Sequence, residues 1–285
     1  MSTITHDFIT IKDIKLHIAH AGPKDGQLIL FLHGFPENWA EWTKQLLFFS
    51  KKGFFAISID QRGYNLSDKP KYTHNYRIDR LALDVIQVAN YYGRKKFILV
   101  GHDWGANVAW WTALRYPSSV LKLVIINVPH PLIMKKILYS YPKQIFRSWY
   151  IFFLQIPLIS EFFVSFNKGI VLYYLVKSSA IKGSIPENLL SYYRNSWCRS
   201  NVLSMINWYR GMKLGGDSKL SSIKVIPKTL LLWGLKDRFI VSEAVKPSLK
   251  LCKEPKCLVF PLNTHWLVHE QSAKVSKYIF EFTKQ

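Results

Sequence analysis

Gly101-His102-Asp103-Trp104-Gly105 follows the apolar run at residues 97–100 and precedes a stretch with helical spacing of apolar residues. Strand, sharp turn and helix in that order, with glycine on both sides of the turn residue, let a strained backbone hold one side chain up at the end of a sheet. The side chain so presented is a carboxylate, that of Asp103. With an ordinary pKa of about 3.9 it is ionised at neutral pH and can displace a leaving group at a saturated carbon without a base to activate it. The product is an ester, which still offers a carbonyl to water, whereas a serine attacking the same carbon would leave an ether. The pattern points to an electrophilic sp³ carbon, as in an epoxide or an alkyl halide. An aspartate that only caps the following helix is the plainer alternative.

On either side of this turn, short apolar runs alternate with helical patterns, the signature of a mostly parallel sheet with crossover helices. Strands are expected at residues 14–19, 28–32, 54–59, 97–100 and 121–126. Ile78, Leu81, Val85 and Val88 recur at three- and four-residue spacing, so residues 76–92 read as an amphipathic helix ended by Gly93. A second helix should follow Trp104 and stop before Pro117. After Pro129-His130-Pro131 the rhythm changes: residues 131–214 are rich in aromatics and lysines, are broken by Pro142, Pro157 and Pro186, and show no clear strand. They read as a helical cap inserted in a core made of residues 1–130 and 215–285. Alternation resumes with a strand at 229–233, a helix around 242–251, a strand near 258–260 and a final helix ending near Phe282.

A chain of 285 residues, 49% hydrophobic, accommodates one catalytic domain with such an insertion and little more. The first 13 residues lack the basic start, apolar run and small-residue cleavage site of a secretory signal, so the mature protein is expected to begin near Met1. Cys198, Cys252 and Cys257 form no C-x-x-C pair, and their odd number argues against a disulfide framework, so a cytoplasmic setting without a zinc site is expected. The net charge of +21 would by itself suggest an anionic partner, nucleic acid or membrane, although a solvated basic surface is the default reading. Lysines are spread along the chain, and aromatics gather in apolar runs instead of alternating with basic residues, which speaks against nucleic acid. Residues 149–166 are apolar over nearly a membrane-spanning length, but a spanning helix would have to bury Glu161 and tolerate Pro157. Apolar cap helices lining a pocket are the better reading. Shallow contact of this basic, apolar cap with an anionic bilayer stays open.

An ester at Asp103 needs an orienting acid and then a histidine, in that chain order. Asp237 follows the strand ending at Trp233-Gly234, and His265 follows the strand near Phe260. Both fall in loops at the carboxyl ends of strands, where open α/β sheets place their ligands. His265 would deprotonate water, with Asp237 holding the imidazole. His269, one turn further on, is expected at the surface or behind the site. The tetrahedral oxyanion would be met by the backbone amides of Trp104 and of Phe35, the latter in His33-Gly34-Phe35-Pro36 after the strand at 28–32. The scheme calls for no cofactor and no metal.

Together, His33-Gly34-Phe35-Pro36-Glu37, Asp60-Gln61-Arg62-Gly63-Tyr64 and Gly101-His102-Asp103-Trp104-Gly105 resemble the epoxide hydrolase branch of the α/β-hydrolase superfamily, and the resemblance runs over nearly the whole chain. It implies an α/β-hydrolase fold, mostly parallel with helices on both faces, and conversion of an apolar epoxide to a vicinal diol with water as co-substrate. It also implies two cap tyrosines that donate hydrogen bonds to the epoxide oxygen. Tyr150, in Trp149-Tyr150-Ile151, matches the first, and Tyr209, in Asn207-Trp208-Tyr209-Arg210, the second. Phe35, Trp104, Trp149, Trp208 and Trp266 are expected to bind substrate, and Asp60 and Arg62 to brace nearby loops. Ala106 stands where many relatives repeat glycine. Asn127 stands where some related dehalogenases keep their acid; it has no carboxylate, which leaves Asp237.

The chief rival is a haloalkane or haloacetate dehalogenase, which shares the nucleophile, acid and histidine. Haloalkane enzymes usually carry an asparagine in the His-Gly motif, where this chain has Phe35; haloacetate enzymes carry arginines around the elbow, where it has Trp104 and Asn107. A catalytically retired fold that binds a lipid or protein is the alternative of another class, although every catalytic role is filled by a competent residue type. Oligomeric state is not legible.

Overall fold

In the computed structural model, residues 3–216, 220 and 222–285 are described. The strands are β1 (Thr5–Ile11), β2 (Ile14–Ala21), β3 (Gln27–Leu32), β4 (Phe54–Ile59), β5 (Phe97–His102), β6 (Val120–Ile126), β7 (Lys228–Gly234) and β8 (Pro255–Phe260). They form one sheet in the order β1-β2-β4-β3-β5-β6-β7-β8. β1 pairs antiparallel with β2, and β2 with β4; the remaining pairs are parallel. Parallel strands covered on both faces read as unbroken apolar runs, and β3 shows why: Leu28, Leu30 and Leu32 enter one core, Ile29 and Phe31 the other.

The helices are α1 (Thr43–Ser50), α2 (Ile78–Tyr91), α3 (Trp104–Arg115), α4 (Pro131–Ser140), α5 (Pro142–Arg147), α6 (Trp149–Phe153), α7 (Ile159–Ser179), α8 (Glu187–Ser196), α9 (Arg199–Gly211), α10 (Val245–Leu249), α11 (Leu267–Glu270) and α12 (Ser272–Thr283). α2 and α3 pack on one side of the sheet, and Trp42, Phe49 of α1 and Ile279 of α12 on the other. Between β6 and β7, α4 to α9 fill the stretch expected to be helical, and no strand occurs there among the described residues.

The apolar stretch 149–166 is not one helix. α6 ends at Phe153, Leu158 takes a left-handed φ of 64°, and α7 starts anew at Ile159. α7 is itself broken at Phe166–Gly169, where three successive residues have positive φ. Glu161 is buried against Arg210, 2.6 Å away. The helix expected around residues 242–251 is shorter, a 3-10 turn at Ser242–Ala244 followed by α10. β1 and α1 were not expected from the sequence.

Candidate active site

β5 runs down the middle of the sheet with every residue buried and delivers the chain into α3 through Asp103. The turn is tight: a Cβ on Gly105 would lie 2.1 Å from the Leu32 carbonyl oxygen, so only glycine lets α3 start this close to β3. Asp103 has φ 48° and ψ −122°, and its side chain makes no capping hydrogen bond to α3. The helix-cap alternative is thereby set aside. The carboxylate instead turns across the strand ends. Its Oδ1 accepts from the Phe35 amide at 2.8 Å, and its Oδ2 lies 3.4 Å from His265 Nε2. Gly34 permits this approach, since a Cβ there would be 2.4 Å from the Asp103 Cβ. The Trp104 amide, first of α3, has no carbonyl one turn earlier to bond, and the Phe35 amide is the backbone donor on the carboxylate.

The loop after β8 brings in His265, whose Nδ1 donates to Asp237 Oδ2 at 2.7 Å. Asp237 is held on all sides: Oδ1 accepts from the amides of Phe239 (2.7 Å) and Ile240 (2.9 Å), and Oδ2 also accepts from Asn127 Nδ2 at 2.8 Å. Asn127 ends β6 at φ 56°, and its Oδ1 accepts from the Gly234 amide. It is a positioning residue that sequence reasoning missed, having weighed it only as an absent acid.

Burial alone would push the His265 imidazolium down, but the Asp237 charge and hydrogen bonding to both carboxylates outweigh it and push it up to about 9. Burial would raise the Asp103 carboxyl; the hydrogen bond and charge of His265, with the charge of His102, hold it below the usual carboxylate range. At neutral pH the resting pair is an imidazolium beside a carboxylate.

Tyr150 of α6 and Tyr209 of α9 come together over Asp103, their ring centroids 6.0 Å apart. Tyr209 packs edge-on against both Trp104 and Phe35. Burial, and after it the neighbouring phenol and carboxylates, raise both hydroxyls above their usual pKa, so each is a neutral donor. A cavity of about 240 Å³ is lined by Asp103, Trp104, Tyr150, Trp208 and Tyr209 with apolar side chains of α4. A second, of about 260 Å³, is lined by Phe35, Trp149 and Tyr150. A small gap bordered by Phe35, Asp103, His265 and Trp266 shares residues with both. Trp149 therefore faces the second space and is largely exposed, while Trp208 and Trp266 are buried, their indoles donating to the Arg62 carbonyl and the Ser179 hydroxyl.

Behind His265 lies a buried cluster of which the sequence pointed only to His269. His102 Nε2 donates to the His265 carbonyl at 2.9 Å, and its Nδ1 is 2.8 Å from Glu41 Oε1. Glu41 Oε2 accepts from the Gly34 amide, and Glu37 pairs with His269 at 2.6 Å. His269 is buried behind the site, the second of the two places expected for it. Burial, then the Glu37 charge, pushes Glu41 up to about 7, while His269 and His102 hold Glu37 low. An acid between two tryptophans, in Trp39-Ala40-Glu41-Trp42, was the available signal. Asp60 and Arg62 brace loops as expected: Asp60 accepts from the Trp39 amide and from Asn65 and contacts His17, and Arg62 grips Asp84 through two 2.7 Å bonds.

A family profile described as the α/β hydrolase fold matches residues 27–272. AB hydrolase superfamily protein YfhM of Bacillus subtilis (strain 168) is 36% identical over 100% of this chain and 99% of its own. Epoxide hydrolase 4 of Homo sapiens is 35% identical over 99% of this chain and 79% of its own. The crystal structure of Bacillus megaterium epoxide hydrolase with an inhibitor superimposes with a TM-score of 0.91 at 30% identity, covering 98% of this chain and all of that one. With the sheet order, the elbow aspartate and these likenesses in agreement, the chain belongs to the α/β-hydrolase family, in its epoxide hydrolase branch.

Proposed function

We propose that this protein hydrolyses apolar epoxides to vicinal diols through a covalent ester on Asp103. The observation that carries the reading is the facing of an ionised Asp103, oriented by the Phe35 amide, by two neutral phenols across one apolar cavity. Residues 131–214 act as the cap that supplies the phenols. Asp103 attacks one ring carbon; the carbon–oxygen bond breaks, and the alkoxide takes a proton from Tyr150 or Tyr209. Without that donor an alkoxide is a poor leaving group. Esterification takes away the Asp103 carboxylate as a hydrogen-bond partner of His265, one of the causes that keep it protonated. The imidazole then sheds its proton, which restores the phenol, and becomes a base when the ester needs water. Water adds to the ester carbonyl as His265 takes its proton, and the oxyanion is met by the Phe35 and Trp104 amides. Collapse releases the diol, with His265 returning the proton to the departing oxygen, and the Asp103 carboxyl, left holding the water's second proton, passes it to His265 to restore the resting pair.

A single turnover in heavy-oxygen water tests the scheme. The first diol should carry ordinary oxygen from the enzyme, and the label should appear in the Asp103 carboxylate. Label in the first diol would mean direct attack by water. His265→Gln should still be alkylated and should keep the added substrate mass; an unmodified protein after incubation with a substrate of the normal enzyme would refute the role of His265.

A further inference from the structure

The helices between β6 and β7 leave more hydrocarbon in water than the fold requires. Tyr139, Phe146, Trp149, Leu158, Phe162 and Phe166 are each more than half exposed, Phe146 and Leu158 at 79%. Soluble monomers rarely expose contiguous apolar patches beyond a few hundred Å², and the rings from Trp149 to Phe166 are contiguous. Ring centroids step from Trp149 to Phe153 (6.2 Å), on to Phe163 (6.2 Å), Phe162 (5.7 Å) and Phe166 (6.1 Å). The stretch that carries it is basic: residues 131–182 contain seven lysines and arginines and a single acid, Glu161, which Arg210 neutralises; Glu243 pairs with Lys143 and Glu187 with Lys177, so the charge left for an outside partner includes Lys135, Lys136, Lys168 and Lys182. The breaks at Leu158 and at Phe166–Gly169 prevent this stretch from crossing a bilayer as one helix. An aromatic, basic face on segments too short to span suits a position in the plane of a membrane interface.

We propose that this face docks on an anionic lipid bilayer, the rings entering the interfacial layer and the lysines meeting the headgroups. Phe146 and Trp149 belong both to this patch and to the lining of the 260 Å³ cavity. Docking itself does not depend on the epoxide reading; taken with that reading, it would let a lipid-dissolved epoxide approach Asp103 directly.

The test is co-sedimentation of the full chain with vesicles of phosphatidylcholine alone and of phosphatidylcholine with an equal part of phosphatidylglycerol, over a salt series. Wild type should bind the anionic vesicles, less at high salt, and bind the neutral ones at least tenfold more weakly. Leu158→Ser/Phe162→Ser/Phe166→Ser, none of which lines a cavity described above, should weaken binding at least tenfold. Lys136→Gln/Lys168→Gln should weaken it by roughly fivefold per lysine, about 25-fold together. Circular dichroism and melting confirm that each variant is folded, without reference to turnover. Failure of wild type to bind anionic vesicles at moderate salt, or binding of both variants equal to wild type, overturns the proposal. So does a wild-type dimer in sedimentation velocity that the apolar variant converts to monomer, since the patch would then be a self-association face.

Discussion

Asp237→Asn preserves the shape of the side chain and changes the sense of one atom. Asp237 Oδ1 accepts two backbone amides, from Phe239 and Ile240, so the asparagine oxygen must stay there. Its NH₂ then falls where Oδ2 accepted from His265 Nδ1 and Asn127 Nδ2. Donor faces donor at both contacts. His265 can relieve one of them by moving its proton to Nε2, but that is the nitrogen facing Asp103 at 3.4 Å, and a protonated Nε2 cannot take a proton from water. A wrong-tautomer histidine of this kind slows the step it serves by about 10⁴-fold. The unrelieved contact with Asn127 adds about 1–3 kcal/mol of destabilisation, a fall in Tm of roughly 2–10 °C for a chain of this size. The assay is rapid-quench single turnover with intact-protein mass: the Asp103 ester should accumulate, and its hydrolysis should become rate-limiting. If ester hydrolysis stays within tenfold of wild type, the Asp237–His265 pair is not the base, and the order of events inferred here is wrong.

Tyr150→Phe and Tyr209→Phe should each slow alkylation of Asp103 by an epoxide by roughly 10- to 1000-fold, and the double variant should nearly abolish it, while a matched alkyl halide, whose leaving group is already a stable anion, is unaffected; a double variant that opens epoxides at the wild-type rate rules out the phenols as donors. In wild type the His265 imidazole should titrate near 9, and Asp103→Asn should bring it down, because the hydrogen bond to an ionised acceptor that favours the cation is lost; an unchanged histidine NMR titration counts against the pairing. Since a raised histidine pKa stabilises the fold fully below the unfolded value of about 6.5 and loses that contribution as pH rises through the folded one, wild-type Tm should fall between about pH 6.5 and pH 9, and by less in the variant. Gly105→Ala, whose Cβ would sit 2.1 Å from the Leu32 carbonyl, should cost about 1–3 kcal/mol of overpacking or more, read as a lower urea midpoint; an unmoved midpoint would mean that β3 and α3 are not in close contact.

The parts of the fold that were legible share one cause. β3 to β7 are covered on both faces over most of their length and so carry long apolar runs, and the elbow carries its own glycines. β1 escaped because it is an edge strand, and only Ile9 and Ile11 of its seven residues are buried. α1 escaped because its buried face mixes Gln45 and Ser50 with Leu46 and Phe49. In the site, Asp103, Asp237, His265 and the two tyrosines were readable from motif and chain order. Asn127, Glu41 and His102 were not, because each acts through a long-range hydrogen bond to a residue named for another reason. Only tertiary structure shows that the Gly34 amide and His102 converge on one buried carboxylate.

The left-handed backbone at Asp103 has a consequence for descent as well as for chemistry. A side-chain-bearing residue held in such a region costs of order 1–3 kcal/mol that glycine would avoid. Once turnover ceased to matter, drift toward glycine would relieve that burden, and nothing in the folding of the sheet would oppose it. A lineage that had abandoned catalysis would thus be favoured to lose its nucleophile first, ahead of the better-packed Asp237 and His265. An aspartate standing where glycine would relieve the backbone is a cost that a working carboxylate would offset.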